Sequence, residues 1–93
     1  GPWIVTHLSL DEASDLQVTT TVNGELKQDG RTSDMVQGIA ELIEYVSGFT
    51  TLLPGDVILT GTPAGVGPLQ PGDQVAVTVE GIGTLTNPVV AEN

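Results

Sequence analysis

From residue 16 to residue 22 the chain alternates, with Leu16, Val18, Thr20 and Val22 on one side and Gln17, Thr19 and Thr21 on the other. A period of two is that of a strand with one packed face. Asn23-Gly24 follows, and Glu25-Leu26-Lys27-Gln28 leads away from it. Asn-Gly between two such runs predicts a tight hairpin, because both central residues of a type I′ turn take positive φ. Beyond the loop Asp29-Gly30-Arg31-Thr32 the period changes. Val36, Ile39, Ala40, Ile43 and Val46 recur at helical spacing with Gln37, Glu41 and Glu44 opposite, which predicts one helix over about 35–47. Asp34 and Gln37 form the capping pair expected at its start, and Gly48 suits its end.

The remainder reads as β. Leu52-Leu53-Pro54-Gly55-Asp56 and Leu69-Gln70-Pro71-Gly72-Asp73 are two copies of L-x-P-G-D, seventeen residues apart. Pro-Gly suits the centre of a type II turn, and each copy launches an apolar run, one from Val57 to Thr60 and one from Val75 to Val79. Gly81 to Gly83 make a further turn before a return strand at Thr84-Leu85-Thr86. Near the start, Trp3-Ile4-Val5-Thr6 is a short β-type run, followed by a polar, acidic loop through Ser9, Asp11, Glu12 and Asp15. The fold class expected is α+β, mainly β with a single helix, since one helix cannot build repeated βαβ units. No linker or low-complexity tract divides residues 1–93, so they form one domain or a portion of one. The echo of L-x-P-G-D is two similar turns and not a repeat architecture.

Composition narrows the setting. Three aromatic residues among 93 (Trp3, Tyr45 and Phe49) leave Val, Leu and Ile to build the core. A chain of this length buries roughly 65 % of the surface its unfolded form exposes, and so few large side chains favour support from a partner surface. Lys27 and Arg31 face twelve acidic residues, a net charge of −10. Nucleic-acid binding needs a cationic footprint, and anionic membranes repel such a surface; both are excluded as partners. No cysteine is available for a disulfide or a thiolate metal site. No apolar run approaches the ~18 residues of a membrane span, and no signal-peptide pattern opens the chain. A soluble cytoplasmic protein is the expectation. A small carboxylate substrate stays compatible with the charge, because backbone dipoles or a metal reverse the field locally.

The densest glycine segment is Thr60-Gly61-Thr62-Pro63-Ala64-Gly65-Val66-Gly67. A strand ending in a loop with free N–H groups and hydroxyls can hold a carboxylate. From spacing alone the favoured reading is a tight turn that needs glycine for positive φ. It is no phosphate-binding loop, since neither Lys-Ser/Thr nor a helix follows. His7, the only histidine, is either a base or an exposed loop residue without a partner. Asp11, Glu12 and Asp15 lack the central glycine and closing glutamate of a calcium loop and read as solvated. Glu41 and Glu44 face solvent, and Asp56 and Asp73 close turns. No G-x-S-x-G elbow is present. The residues alone therefore give an acidic α+β domain with one candidate anion-holding loop.

The run from Asp56 to Gly67 is similar to the P-G-D-V-I-x-T-G-T-P-x-G-V-G signature of the fumarylacetoacetate hydrolase family. In the same order, Gly1-Pro2-Trp3-Ile4-Val5-Thr6 resembles the family's G-P-W-I-V-T, and Val22-Asn23-Gly24-Glu25 with Gln28 resembles its V-N-G-E-x-x-Q. Thr32-Ser33-Asp34-Met35 and Pro71-Gly72-Asp73 match the start of its helix and its second turn. The resemblance implies the C-terminal part of a mixed β-roll with one helix, in a homodimer or larger assembly. It also implies a divalent cation, Mg²⁺ or Mn²⁺, acting as a Lewis acid on a 2-oxo or 2,4-dioxo acid during C–C hydrolysis, decarboxylation or isomerisation. By the same resemblance Thr62 contacts the substrate carboxylate, and Gly61 and Gly65 shape its loop. The family's metal ligands, a Glu-x-Glu pair and an Asp, and its active-site lysine lie upstream of G-P-W. No metal ligand and no general base is therefore assigned here, and the missing N-terminal half becomes an expected partner. The alternatives are a short oligomeric relative without the metal site, or a hydrolase with an unrelated site.

Overall fold

The structure, a computed structural model, describes residues 2–92; Gly1 of the G-P-W match lies outside them. A one-turn helix, α1 (Leu10–Ala13), comes first. Strands β1 (Gln17–Val22) and β2 (Glu25–Arg31) follow, then a 3-10 turn (Thr32–Asp34) and helix α2 (Ile39–Ser47). Strands β3 (Gln74–Val79) and β4 (Gly83–Pro88) end the series. The sheet is antiparallel throughout, in the order β2-β1-β3-β4. The β1–β2 hairpin turns at Asn23 (φ 52°) and Gly24 (φ 80°), the left-handed pair a type I′ turn demands. On its other side β1 pairs with β3, setting Val18 against Val79 and Val22 against Val75.

Both L-x-P-G-D copies form the expected turn, with Gly55 and Gly72 each at φ 94°. In the first, Asp56 N–H donates to the Leu53 carbonyl (3.0 Å), and Asp56 Oδ2 accepts from Leu53 N–H (2.8 Å). Asp73 repeats both bonds with Gln70 at 3.0 and 2.8 Å. The second turn feeds β3. The first feeds residues 57–60, which were expected as a strand and form none. No neighbour among the described residues offers them a ladder, and a β-prone sequence without one stays an unpaired segment.

Three other expectations need correction. Trp3-Ile4-Val5-Thr6 is not a strand. It is anchored by a side chain: the Trp3 indole N–H donates to the Ile82 carbonyl at 3.0 Å, and the ring occupies the space beside Gly83. The helix begins at Ile39, not near 35. Asp34 does not cap it, because its Oδ2 accepts from Arg31 N–H at 2.8 Å and closes the 3-10 turn instead. Met35 (φ −61°, ψ 137°) then takes the chain out of helical geometry, and Gly38 serves as the cap. Gly48 ends α2 as expected. The half-buried positions of α2 are Ile39, Leu42 and Val46, while Val36 is fully exposed. Finally, α1 is a second helix where a loop was expected. Ser9 Oγ accepts from Glu12 N–H (3.1 Å) and Glu12 Oε1 from Ser9 N–H (3.3 Å), a capping box within the acidic stretch.

Leu16 is the one apolar side chain buried among the described residues, at 9 % exposure. It is pinned where α1, β1 and the 3-10 turn meet. Its N–H donates to Thr32 Oγ1 (2.8 Å), its carbonyl accepts from Thr32 N–H (2.8 Å), and Thr32 Oγ1 donates to the Ala13 carbonyl (2.7 Å). The radius of gyration is 15.1 Å, against about 12 Å for a compact chain of this length. The apolar surface is spread along the sheet and the segment after α2 and not gathered inside. Among the described residues no helix is long and apolar enough to cross a membrane.

Candidate functional site

The glycine-rich loop 60–67 lies across β2, and β2 is shaped to receive it. The β1–β2 register runs from Thr20 opposite Gln28 to Thr21 opposite Leu26, which leaves Lys27 as the extra residue of a bulge. Bulges bend a strand and re-aim its groups. The Lys27 carbonyl is turned toward Gly65 (φ 108°), where an added Cβ would collide with its oxygen. Gln28, next in line, donates from Nε2 to Thr62 Oγ1 at 2.8 Å and to the Pro63 carbonyl at 2.7 Å. Gly30, buried in β2, leaves room for the Pro63 ring, whose Cγ would lie 2.9 Å from a Cβ there. Lys27, Gln28 and Gly30 of β2 thus clasp the loop through one carbonyl, one amide and one absent side chain.

Thr62 and Gly61 (φ 95°) form one edge of an open groove of about 770 Å³. Its lining includes the apolar side chains of Val18, Met35, Leu42 and Val79, with Asp34 and Gln37 among the polar ones. Arg31 also reaches this groove, but its guanidinium is engaged. Nε donates to Asp15 Oδ1 (2.7 Å) and Nη2 to the Asp15 carbonyl (3.0 Å), with Glu80 Oε2 3.5 Å from Nη2. The hydrogen bond from Arg31, joined by one from Ser33 Oγ (2.9 Å), holds the Asp15 carboxyl below the usual carboxylate range. Asp15 in turn raises the Arg31 guanidinium. The groove therefore offers the Thr62 hydroxyl beside a largely apolar lining.

Of the residues singled out from sequence, Gly61 and Thr62 border the groove. Gly65 sits on the other side of the loop, against β2. His7 is exposed ahead of α1. Asp11 and Glu12 ride on α1 while Asp15 is tied to Arg31, so the acidic stretch does not converge. Among the described residues no group of three or more His, Asp or Glu side chains could hold a metal ion. The donor set here does not fit the implied cation, and no step is derived through one. Gln28 is the residue that sequence reasoning left without a role. It stands 34 residues from Thr62, and nothing local marks the contact.

Residues 1–90 match the family model described as fumarylacetoacetate (FAA) hydrolase C-terminal. The chain belongs to the fumarylacetoacetate hydrolase family. Among relatives within the family, protein Rv2993c of Mycobacterium tuberculosis is 60 % identical over 90 residues, covering 97 % of this chain and 34 % of its own. The crystal structure of 5-carboxymethyl-2-hydroxymuconate delta-isomerase from Mycobacterium smegmatis superposes with a TM-score of 0.90 at 58 % identity, over 100 % of this chain and 36 % of that one. Maleylpyruvate hydrolase from Sphingobium sp. SYK-6, solved with manganese (II) ion and pyruvate, gives 0.89 at 39 % identity, over 97 % and 34 %. The chain thus spans about a third of the length of these fumarylacetoacetate hydrolase family relatives. Its α+β architecture with a four-stranded antiparallel sheet is that of family domains.

Proposed function

We propose that these residues form the substrate-carboxylate side of a divalent-metal-dependent enzyme acting on 2-oxo or 2,4-dioxo acids. The observation that carries this reading is Thr62, held by Gln28 at the edge of an apolar groove with its hydroxyl able to donate. A carboxylate arriving at a surface of net charge −10 needs local donors to offset the repulsion. Thr62 O–H and the N–H groups of the loop supply them. Gly61 turns the chain beside Thr62, and Gly65 seats the loop against β2. The apolar side chains of the groove offer contact to the carbon skeleton next to the carboxylate. Support from the family is chemical: pyruvate, present in the related maleylpyruvate hydrolase structure, is itself a 2-oxo acid.

In this reading the cation, Mg²⁺ or Mn²⁺, would be held by residues outside the described ones, and would supply Lewis-acid chemistry to the 2-oxo acid. The reaction is C–C hydrolysis, decarboxylation or keto–enol isomerisation, and the enzyme works as a homodimer or larger assembly. The test uses the enzyme as its gene encodes it. Acylpyruvate and oxaloacetate are offered with Mg²⁺ or Mn²⁺, and activity is measured before and after treatment with a chelator. Turnover that disappears on chelation and returns with the ion supports the reading. No turnover of any 2-oxo acid with either ion, in a protein shown to be folded, would leave a non-catalytic relative in its place.

A further inference from the structure

We infer that Gln28 is a positioning residue for the substrate carboxylate, acting by dictating where the Thr62 hydroxyl proton points. The inference rests on Thr62 as the carboxylate donor proposed above. One amide nitrogen, Gln28 Nε2, lies 2.7 Å from the Pro63 carbonyl oxygen and 2.8 Å from Thr62 Oγ1. A carbonyl oxygen only accepts, so the amide atom facing Pro63 must be the NH₂ group; turning the amide over would set two oxygens against each other. One hydrogen of that group goes to Pro63, and the other meets Thr62 Oγ1. The Thr62 oxygen is therefore committed as an acceptor on the β2 side, and its own proton is directed away from Gln28. The groove edge is where Thr62 is exposed. Pro63 thereby fixes the amide, the amide fixes the hydroxyl, and the hydroxyl becomes a dedicated donor for an anion.

The placement of the loop does not depend on Gln28 alone. Gly65 against the Lys27 carbonyl and Pro63 against Gly30 hold it on either side. What Gln28 adds beyond these contacts is the choice between donor and acceptor at Thr62. The Lys27 bulge brings it there, since the register shift lies between Leu26 and Gln28.

The experiment uses the enzyme as its gene encodes it, with Gln28→Leu and Gln28→Glu made alone and together with Thr62→Val. The readouts are the inhibition constant of pyruvate, KM for a 2-oxo acid substrate, their pH profiles, and the melting temperature. Gln28→Leu is expected to weaken pyruvate binding about tenfold, the scale of one misdirected hydrogen bond to a charged group, with the melting temperature little changed. The loss should vanish in the Thr62→Val background. Gln28→Glu cannot donate to Pro63 while ionised; it accepts the Thr62 proton and adds a negative charge. Binding should therefore fall further at neutral pH and recover as the pH drops and the new carboxyl is protonated, a profile that wild type lacks. Equal losses from Gln28→Leu with and without Thr62 would show a merely structural role and overturn the inference. So would full affinity in both Gln28 variants. If Thr62→Val alone leaves pyruvate binding unchanged, the carboxylate reading fails and takes the inference with it. If Thr62→Val weakens binding while the Gln28 variants do not, only the inference fails. Should Gln28→Leu not fold, the pH profile of Gln28→Glu decides.

Discussion

Leu53-Pro54-Gly55-Asp56 and Gln70-Pro71-Gly72-Asp73 fold into the same turn, with the same glycine geometry and the same two bonds from the closing aspartate. Beyond the turns the two copies part ways. Val75 and its neighbours enter β3, between β1 and β4, and their main chain is paired on both sides. Residues 57–60 are as apolar and as β-prone, yet they stay unpaired, with Val57 80 % and Leu59 92 % exposed. A turn is set by its own four residues, whereas a strand exists only where a neighbour completes its hydrogen bonds. The sheet supplies that neighbour to the second copy and not to the first. The segment after the first copy is instead fastened farther along, where loop 60–67 meets β2.

The largest expected effect comes from breaking that fastening and leaving the sheet alone. Gly65→Ala would drive a Cβ into the Lys27 carbonyl at a φ of 108°. A cost of about 3 kcal/mol or more is expected. Pyruvate binding by the full-length protein should be lost while hydrogen exchange in β1 and β3 is unchanged. Loss of protection across the sheet as well would mean that loop and sheet are not separable. Gly30→Ala is the gentler version, because the Pro63 ring at 2.9 Å can shift. About 1–3 kcal/mol is expected, read as a weaker substrate affinity and a modest fall in melting temperature.

The smallest effect tests the sheet side. Asp73 is held below the usual carboxylate range, first by the Gln70 N–H and then by the Asn23 side chain, whose Nδ2 donates to Asp73 Oδ1 at 2.9 Å. Asp15 is lowered by Arg31 and Ser33. A depressed folded-state pKa means that the unfolded chain binds more protons in the window between the two values. The stability these groups contribute is thus fully present above the ordinary carboxylate range and lost as pH falls below it. Asp73→Asn should flatten part of that acid limb in urea-unfolding curves. An unchanged limb would show that the turn aspartate is not coupled to folding.

Local chemistry was the legible part of the sequence. Asn23-Gly24, both Pro-Gly-Asp turns and the Gly48 stop each depend on residues adjacent in the chain. The start of α2 was misread because Asp34 had two local uses, and the Arg31 N–H lay nearer than the helix. Ser9 and Glu12 carried a capping-box signal that the acidic run concealed. Residues 57–60 and the run from Trp3 were misread as strands, since their partners, or the lack of them, are set by distant parts of the chain. Gln28 was illegible for the same reason: its role exists only once β2 and the loop are brought together.

The most direct measurement is a titration of pyruvate, with Mn²⁺ present, into the protein as its gene encodes it and into its Thr62→Val variant. A hydrogen bond to a charged group is worth about 1.5–3 kcal/mol, so affinity is expected to fall roughly ten- to a hundredfold with the fold intact. Equal affinity in the two proteins would contradict the placement of the substrate carboxylate at Thr62.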